Sequence, residues 1–381
     1  MTTSEPAAGG HQESLSVLLL LGTSAGGVGR HVLGLARSLV EAGHVVTVGG
    51  PHETEDDFSF TGAGARFVAV ETRDRPHPRE DARAVKTVRE LARGVDVVHA
   101  HGLRAGGIAV LALRRSRVPL AVTLHNALLS RGVRGGPVAA AYAVLERLVA
   151  RGAQVVLGVS GDLEDRLRQL GADDVRHAVI PAPDRGPVRR EPRLVREELS
   201  AADRHLVVCV ARLAEQKGLP LLLDAAALLG APQDDVLVVV AGDGPLRQRL
   251  QGRIDDEGLP VRLLGWRDDV PDLLAAADVV VSSAVWEGQP IAVQQAIHAG
   301  AALVATDVGG TRAATQDAAV LVPHGDAAAL ATAVRALLDD APAREALRAR
   351  ARERARALPD ADDACQAALA LYRDMRRSSP C

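Results

Sequence analysis

The chain has 381 residues, a formal net charge of −3 and 47% hydrophobic residues. This length exceeds one ordinary domain, and the composition is that of a globular protein, which excludes a disordered or fibrous chain. The small net charge provides no field that would attract nucleic acid, so no nucleic-acid partner is expected. The three cysteines, Cys209, Cys365 and Cys381, lack metal-ligand spacing, which predicts no metal site and a reducing compartment.

The first apolar run, Leu15 to Leu21, is too short to span a bilayer and lacks the positive flank of a signal peptide. We interpret it as the first core strand after a disordered leader, in a cytoplasmic protein. Further short apolar runs follow, separated by helical patterns: HVVTVGG, DVVHAHG, PLAVTLHN, AQVVLGVS, HLVVCVAR, DVLVVVAGDG, VRLLGW, DVVVSSA, AALVATD and AAVLVPH. Such runs indicate parallel strands buried on both faces, so the predicted fold is α/β, with two doubly wound Rossmann-like domains facing a cleft.

A segment rich in proline and arginine, residues 181–200, separates the two halves and predicts an inter-domain linker. We therefore expect a first domain over residues 1–184 and a second over residues 185–359. The last helical pattern, within residues 360–381, is expected to pack back on the first domain.

The first strand leads into a glycine-rich loop, GTSAGGVGRH, that opens a helix. Glycines there allow a close approach to an anion at the helix N-terminus, although a tight turn without a ligand remains an alternative. A Walker loop would need Lys followed by Ser or Thr where Arg30 and His31 stand. A dinucleotide loop would need an acidic residue at the end of the second strand, where Gly49 and Gly50 stand.

A second candidate phosphate loop, VARLAEQKG, connects a strand of the second half to a helix. Arg212 and Lys217 flank this turn, and two cations at such a spacing can converge on one diphosphate. Arg212 could equally form a surface ion pair. Lys217 favours the binding hypothesis, because Lys86 is the only other lysine of the chain.

A third segment, WEGQPIAVQQAI, follows the strand DVVVSSA. Glu287 stands at the carboxyl end of that strand, where ligands of parallel sheets bind. A helix is predicted to begin near Pro290, because proline suits the first helical turn. Gly288 then leaves the amides of Gln289 and Ile291 free to point at phosphate oxygens.

At this point the chain resembles the retaining GT-B glycosyltransferases of family 4, the group that contains phosphatidylinositol mannosyltransferases and the inositol-phosphate N-acetylglucosaminyltransferase of mycothiol synthesis. The resemblance rests on an ordered set of motifs along most of the chain: GGVGRH, VVHAHG, TLHN, ARLAEQKG, AGDGPLRQRL, GWRDDVPDLLAAADVVVSSAVWEG and TDVGGT. It implies transfer of a hexose or N-acetylhexosamine, with retention of configuration, from a UDP- or GDP-sugar to a small or lipid-linked acceptor. No metal and no cofactor are implied.

The resemblance also implies roles for individual residues of the second domain. Arg212 and Lys217 would hold the donor diphosphate, and Glu287 would hold hydroxyls of the transferred sugar. The remaining donor-binding positions would be Gly242, Arg267 (through its backbone), Gly288, Gln289, Pro290, Ile291 and Gln295. From the first domain, Gly27 would approach the diphosphate and His125 would reach the sugar, so the expected catalytic set is Glu287, His125, Arg212 and Lys217.

Two positions depart from the family pattern. Gln295 stands where the family has a second glutamate that binds the ribose hydroxyls, which predicts about tenfold weaker donor binding or a changed preference. Ile180-Pro181-Ala182-Pro183-Asp184 replaces the usual I-P-N-G-V segment before the linker. Three other activities stay open: a binding protein of this fold without turnover, a nucleotide-sugar 2-epimerase and a partitioning-type ATPase.

The acceptor is not identified by the sequence. The loop from His125 to Val138 contains glycines and arginines that could receive a phosphate or could be solvated charges. The segment PVAAAYAVLERLVARG is weakly amphipathic, and contact with the inner face of a membrane is an alternative to a buried helix. A zinc site at His99, His101 and His125 is the other alternative for the histidines. The oligomeric state is left undetermined.

Overall fold

The structure is a computed structural model that describes residues 13–23, 26–72, 77–125, 136–182, 186–231 and 235–378. Its first half contains a seven-stranded parallel sheet with the order β3-β2-β1-β4-β5-β6-β7. The strands are β1 (Ser16–Leu21), β2 (Val45–Gly50), β3 (Arg66–Ala69), β4 (Val97–His101), β5 (Leu120–Leu124), β6 (Val155–Gly158) and β7 (Val175–His177). The order reverses between β1 and β4, which creates a crevice at their carboxyl ends.

The second half contains a six-stranded parallel sheet with the order β10-β9-β8-β11-β12-β13. Its strands are β8 (His205–Val210), β9 (Val236–Ala241), β10 (Val261–Gly265), β11 (Val279–Ser282), β12 (Leu303–Thr306) and β13 (Val320–Val322). Here the order reverses between β8 and β11. The prediction of two doubly wound parallel sheets is confirmed.

Helices cover both sheets. Those of the first half are α1 (Gly27–Glu41), α2 (His52–Phe58), α3 (Pro78–Leu91), α4 (Leu103–Leu113), α5 (Gly136–Gly152) and α6 (Gly161–Gln169). Those of the second half are α7 (Pro192–Glu198), α8 (Leu219–Leu229), α9 (Arg247–Glu257), α10 (Val270–Ala276), α11 (Ile291–His298), α12 (Thr311–Thr315), α13 (Ala327–Asp339) and α14 (Ala341–Arg356). Helix α15 (Ala361–Ser378) returns to the first sheet and packs beside α1, where Leu369 and Tyr372 join the hydrophobic core.

The cores consist mainly of Val, Leu and Ala, as the scarcity of aromatic residues requires. Val17, Leu18 and Leu19 of β1 are completely buried, and each such side chain stabilises the fold by about 1.5–3 kcal/mol relative to an exposed one. Within the described residues, no helix is long and apolar enough to cross a membrane.

The segment predicted as a linker, residues 181–200, is only partly a linker. Helix α7 lies within it and packs on α10, because Val195 and Leu199 bury their side chains in the core of the second sheet. The regularly spaced apolar residues of PRLVREEL account for this helix. Residues 183–185 lie outside the described part of the chain, and with them lie the predicted domain boundary and the end of the segment from Ile180 to Asp184.

Candidate active site

A lysine and a glutamate from two loops of the second sheet form an ion pair at its carboxyl edge. Lys217 Nζ lies 2.5 Å from Glu287 Oε1. The two residues meet because Lys217 follows β8, Glu287 follows β11, and these strands are neighbours. Glu287 is buried, and this burial raises the pKa of its carboxyl while the Lys217 charge opposes the shift. The pair places a buried carboxylate beside a partly exposed cation at the edge where ligands of parallel sheets bind.

Two glycines allow the loops after β8 and β12 to close onto the loop that carries Glu287. Gly218 has φ +59°, and a Cβ atom there would lie 2.0 Å from the carbonyl oxygen of Ser283. Gly309 has φ +49°, and its Cβ would lie 1.7 Å from the carbonyl oxygen of Glu287. The Gly310 N–H donates to that same oxygen at 3.1 Å. A side chain at Gly218 or Gly309 would separate these loops, so the glycines fix the backbone position of Glu287.

Helix α11 begins at Ile291, and Pro290 occupies the position that precedes its first turn, close to the predicted start. The Gln289 and Ile291 amides were both expected to face a phosphate. The Ile291 N–H instead donates to the Gln289 carbonyl oxygen at 3.0 Å, so the structure does not present this amide to the cleft. The next amides of the first turn lack intrahelical acceptors by helix geometry and provide the anion-binding potential of this helix end.

The tip of α11 contacts the first domain directly. A Cβ atom on Gly27 would lie 2.6 Å from Ile291 Cδ1, and a Cβ atom on Gly288 would lie 2.4 Å from the carbonyl oxygen of His125. The Gln289 side chain donates to the Ile180 carbonyl oxygen at 2.8 Å. The structure therefore brings Gly27, Gly288 and Ile291 together. A diphosphate between Gly27 and this tip would require the two domains to separate.

The other residues predicted to bind the donor differ in exposure and in hydrogen bonding. Arg212 is exposed and forms no ion pair with any described residue. Gly242 donates its N–H to the Gly265 carbonyl oxygen at 2.8 Å, so the loop after β9 packs against the turn after β10. The Arg267 side chain is held by Asp269 and by Glu198, at 2.7 and 3.0 Å. These ion pairs fix the turn and engage the guanidinium of Arg267.

Four histidines of the first domain form a cluster: His31, which is partly exposed, and His99, His101 and His125, which are buried. The rings of His101 and His125 approach to 3.3 Å between Nδ1 and Nε2, and the His31 ring packs edge-on against both. Burial lowers the pKa of His31 to about 4 and that of His99 to about 3. Burial, together with repulsion from the neighbouring rings, also holds the pKa of His101 and His125 well below its usual value. The cluster is therefore neutral at pH 7.

His99 connects this cluster to the C-terminal helix. Its Nδ1 lies 2.7 Å from the Tyr372 hydroxyl and its Nε2 lies 2.7 Å from the Thr123 hydroxyl. Neither His31 nor Tyr372 was predicted from the sequence to be a site residue. His31 had a usable signal, because it follows Gly27 by one helical turn and so shares its face of α1.

No metal site accompanies the histidines within the part of the chain that the structure describes, where no group of three or more His, Cys, Asp or Glu side chains could hold a metal ion. Asp360 and Asp362 are two carboxylates separated by one residue, a spacing that could suggest a metal site. They stand at the start of α15, where Asp360 Oδ1 accepts the Asp363 N–H at 2.9 Å and caps the helix. Most of the loop predicted as an acceptor site, residues 126–135, lies outside the described residues.

A cavity of about 1220 Å³ extends between the domains beside this centre. Gly27 and His31 line it from the first domain, and Gln295 and Pro271 line it from the second. Gln295 is buried, and its amide nitrogen lacks a hydrogen-bond partner among the described residues. Gln295 thus lines a space large enough for a ligand and holds a buried donor that is unsatisfied in this structure.

Known proteins share sequence similarity with both halves of the chain. Residues 26–183 match the family described as "Glycosyl transferase 4-like domain", and residues 191–354 match "Glycosyl transferases group 1". The chain is 30% identical to alpha-D-kanosaminyltransferase of Streptomyces kanamyceticus over 73% of this chain and 77% of that protein. It is 31% identical to phosphatidyl-myo-inositol mannosyltransferase of Mycolicibacterium smegmatis over 86% of this chain and 85% of that protein.

The fold is shared with HepE of Anabaena, solved in complex with UDP. The TM-score is 0.80 at 21% identity, over 94% of this chain and 100% of that one. The GT-B architecture expected from the resemblance is thereby confirmed. Given the two matched domains and these relatives, the chain belongs to the group 1 glycosyl transferases and is a glycosyltransferase of the GT-B fold.

Proposed function

We propose that the protein transfers a hexose or N-acetylhexosamine, with retention of configuration, from a UDP- or GDP-sugar to a small or lipid-linked acceptor. The observation that carries this proposal is the Lys217–Glu287 pair beside the tip of α11. It combines a cation for the diphosphate with a buried carboxylate that can accept hydrogen bonds from sugar hydroxyls. HepE, which shares the fold, was solved with UDP and with UDP-glucose.

The donor would lie across the carboxyl edge of the second sheet. Its base would meet the turn held by Arg267 and Asp269, and its ribose would meet the unsatisfied amide of Gln295. Lys217, exposed Arg212 and the first turn of α11 would surround the diphosphate. Glu287 would then reach the sugar, with His125 on the opposite side of the cleft.

Transfer with retention needs no dedicated base in this arrangement. The acceptor oxygen attacks the anomeric carbon from the face that the diphosphate leaves, as the bond from that carbon to the phosphate oxygen breaks. The leaving phosphate takes the acceptor proton. Lys217 and Arg212 stabilise the charge that develops on the leaving group, and the walls of the cleft orient the reactants.

The acceptor would bind on the first domain. The name of the mannosyltransferase relative mentions phosphatidyl-myo-inositol, which supports a lipid-linked acceptor. A lipid-linked acceptor would bring the protein to the inner face of the membrane as a peripheral cytoplasmic enzyme. A soluble acceptor would require no such contact.

Product analysis tests this function. The protein is incubated with UDP- and GDP-sugars, with and without acceptor alcohols, and the anomeric configuration of the product is read by NMR. Glu287→Ala and His125→Ala should fold normally yet lose most transfer activity, and unimpaired turnover in either would contradict the assignment. Epimerised donor without acceptor would indicate a 2-epimerase, and donor binding without any product would indicate a binding protein.

A further inference from the structure

The inter-domain cavity is larger than the donor nucleoside requires. Its volume of about 1220 Å³ exceeds the roughly 300–1000 Å³ of most single-ligand pockets. Gln295 marks one end, where the proposed function places the ribose. The other end runs along the outer face of α1 and has been given no role.

Two arginines and a glycine form this face of α1. Arg30, Gly34 and Arg37 all line the cavity, and their spacing places them on one side of the helix. The two Cα atoms of the arginines are separated by about 10 Å of helix. Both side chains are exposed and form no ion pair or hydrogen bond with a described residue, whereas Arg104 and Arg166 of the same domain are paired with carboxylates.

Gly34 has no packing reason to be glycine. A Cβ atom there would meet no atom within 4 Å, although glycine inside a helix costs stability relative to alanine. The missing side chain leaves a notch on the helix surface between Arg30 and Arg37. The notch opens to the cavity and has an unpaired cation on each side. Such an arrangement is suited to bind a compact anion.

Two carboxylates also line the cavity and oppose the binding of an anion by these arginines. Asp360 caps α15 through its carboxylate, so its oxygens are partly engaged. Asp57, at the end of α2, is the other carboxylate of the lining. His31 and His298 also line the cavity, and His31 is neutral at pH 7 because burial lowers its pKa to about 4.

We propose that this face of α1 is a second binding site, in which Arg30 and Arg37 hold the phosphate of a phosphorylated acceptor beside the donor. This rests on the proposed function, because it assigns the anion to the acceptor. The phosphate could belong to a soluble sugar or polyol phosphate or to a lipid headgroup.

Calorimetry on the full chain, saturated with UDP, tests the site. The probe is glucose 6-phosphate, and glucose is its uncharged match. Vesicles of phosphatidylcholine, with and without phosphatidylinositol, form a parallel arm. We expect a phosphate-dependent signal in one arm, and the arm in which it occurs identifies a soluble or a lipid phosphate.

The variants separate this site from the donor site. Arg30→Gln with Arg37→Gln should weaken probe binding at least tenfold and leave UDP binding unchanged. Gly34→Ala should weaken it by filling the notch, and Asp57→Asn should strengthen it. Arg350→Gln, at an exposed arginine of α14 away from the cavity, is the matched control and should change nothing.

Equal probe binding in the Arg30→Gln/Arg37→Gln variant and the unmodified protein would overturn the proposal, as would the absence of a phosphate-dependent signal from both arms. In either case intact UDP binding would leave the proposed donor function standing. If UDP did not bind to the unmodified protein, that result would instead contradict the proposed function itself.

Discussion

The ammonium group of Lys217 lies beside the buried carboxylate of Glu287, with 2.5 Å between Nζ and Oε1, and offsets its negative charge. The two residues are 70 positions apart in the sequence. Burial alone raises the pKa of Glu287, and Lys217 is the group that opposes this rise. A diphosphate that attracts Lys217 would weaken this compensation. The pair therefore couples the position of the diphosphate to the charge that faces the sugar.

Lys217→Ala should reduce the turnover number about 100-fold, because loss of one charge-stabilising donor typically has an effect of this size. It should also raise the pKa of Glu287 further, which moves the acidic limb of the pH–rate profile to higher pH. Lys217→Arg is the control, since it keeps the charge. A Lys217→Ala enzyme with an unchanged acidic limb would contradict the coupling.

The contact between Gly27 and Ile291 predicts a steric limit on closure of the domains. Gly27→Ala should lower kcat/KM about tenfold, because its methyl group would meet Ile291 Cδ1 at 2.6 Å and shift the α11 tip. Ile291→Val removes Cδ1, so the double variant should recover activity. Gly252→Ala on α9, where a Cβ meets no atom within 4 Å, is the matched control. Failure of Ile291→Val to rescue would locate the effect elsewhere.

Gln295→Glu should tighten UDP binding about tenfold, because a charged acceptor contributes more to a hydrogen bond with a ribose hydroxyl than an amide does. The new carboxylate would be buried without a partner, so the protein should melt at a lower temperature in the absence of UDP. UDP should then produce a larger thermal shift than in the unmodified protein. Gln294→Glu places a carboxylate at the neighbouring buried glutamine. It therefore measures the loss of thermal stability that burial of a carboxylate alone causes.

The central strands of both sheets could be predicted because they are continuous apolar runs. The edge strands β3 and β7 were not identified, since they are short and their residues are at most partly buried. Helix α7 was taken for linker because Pro192 and several arginines masked the buried Val195 and Leu199.

The candidate site was predictable only as a set of separate motifs. Sequence placed Lys217 and Glu287 at the ends of strands, but their ion pair depends on the adjacency of β8 and β11, which local pattern does not specify. Likewise, the contact of Gly27 with Ile291 depends on how two domains meet. The bond between His99 and Tyr372 joins residues 273 positions apart and could not be read from either segment.

The histidine cluster predicts that the free energy of unfolding decreases as the pH falls below about 6.5. Burial holds the pKa of His99 at about 3 and that of His31 at about 4, while the unfolded chain titrates near 6.5. Within this window the unfolded chain binds protons that the folded protein does not, so stability falls with pH and the loss ends near pH 3. Urea unfolding at pH 7.5 and pH 5 measures the decrease. His99→Gln cannot titrate and should show a smaller decrease, whereas His52→Gln, at an exposed position, should match the unmodified protein. An identical pH dependence for His99→Gln and the unmodified protein would show that the buried histidines do not control acid stability.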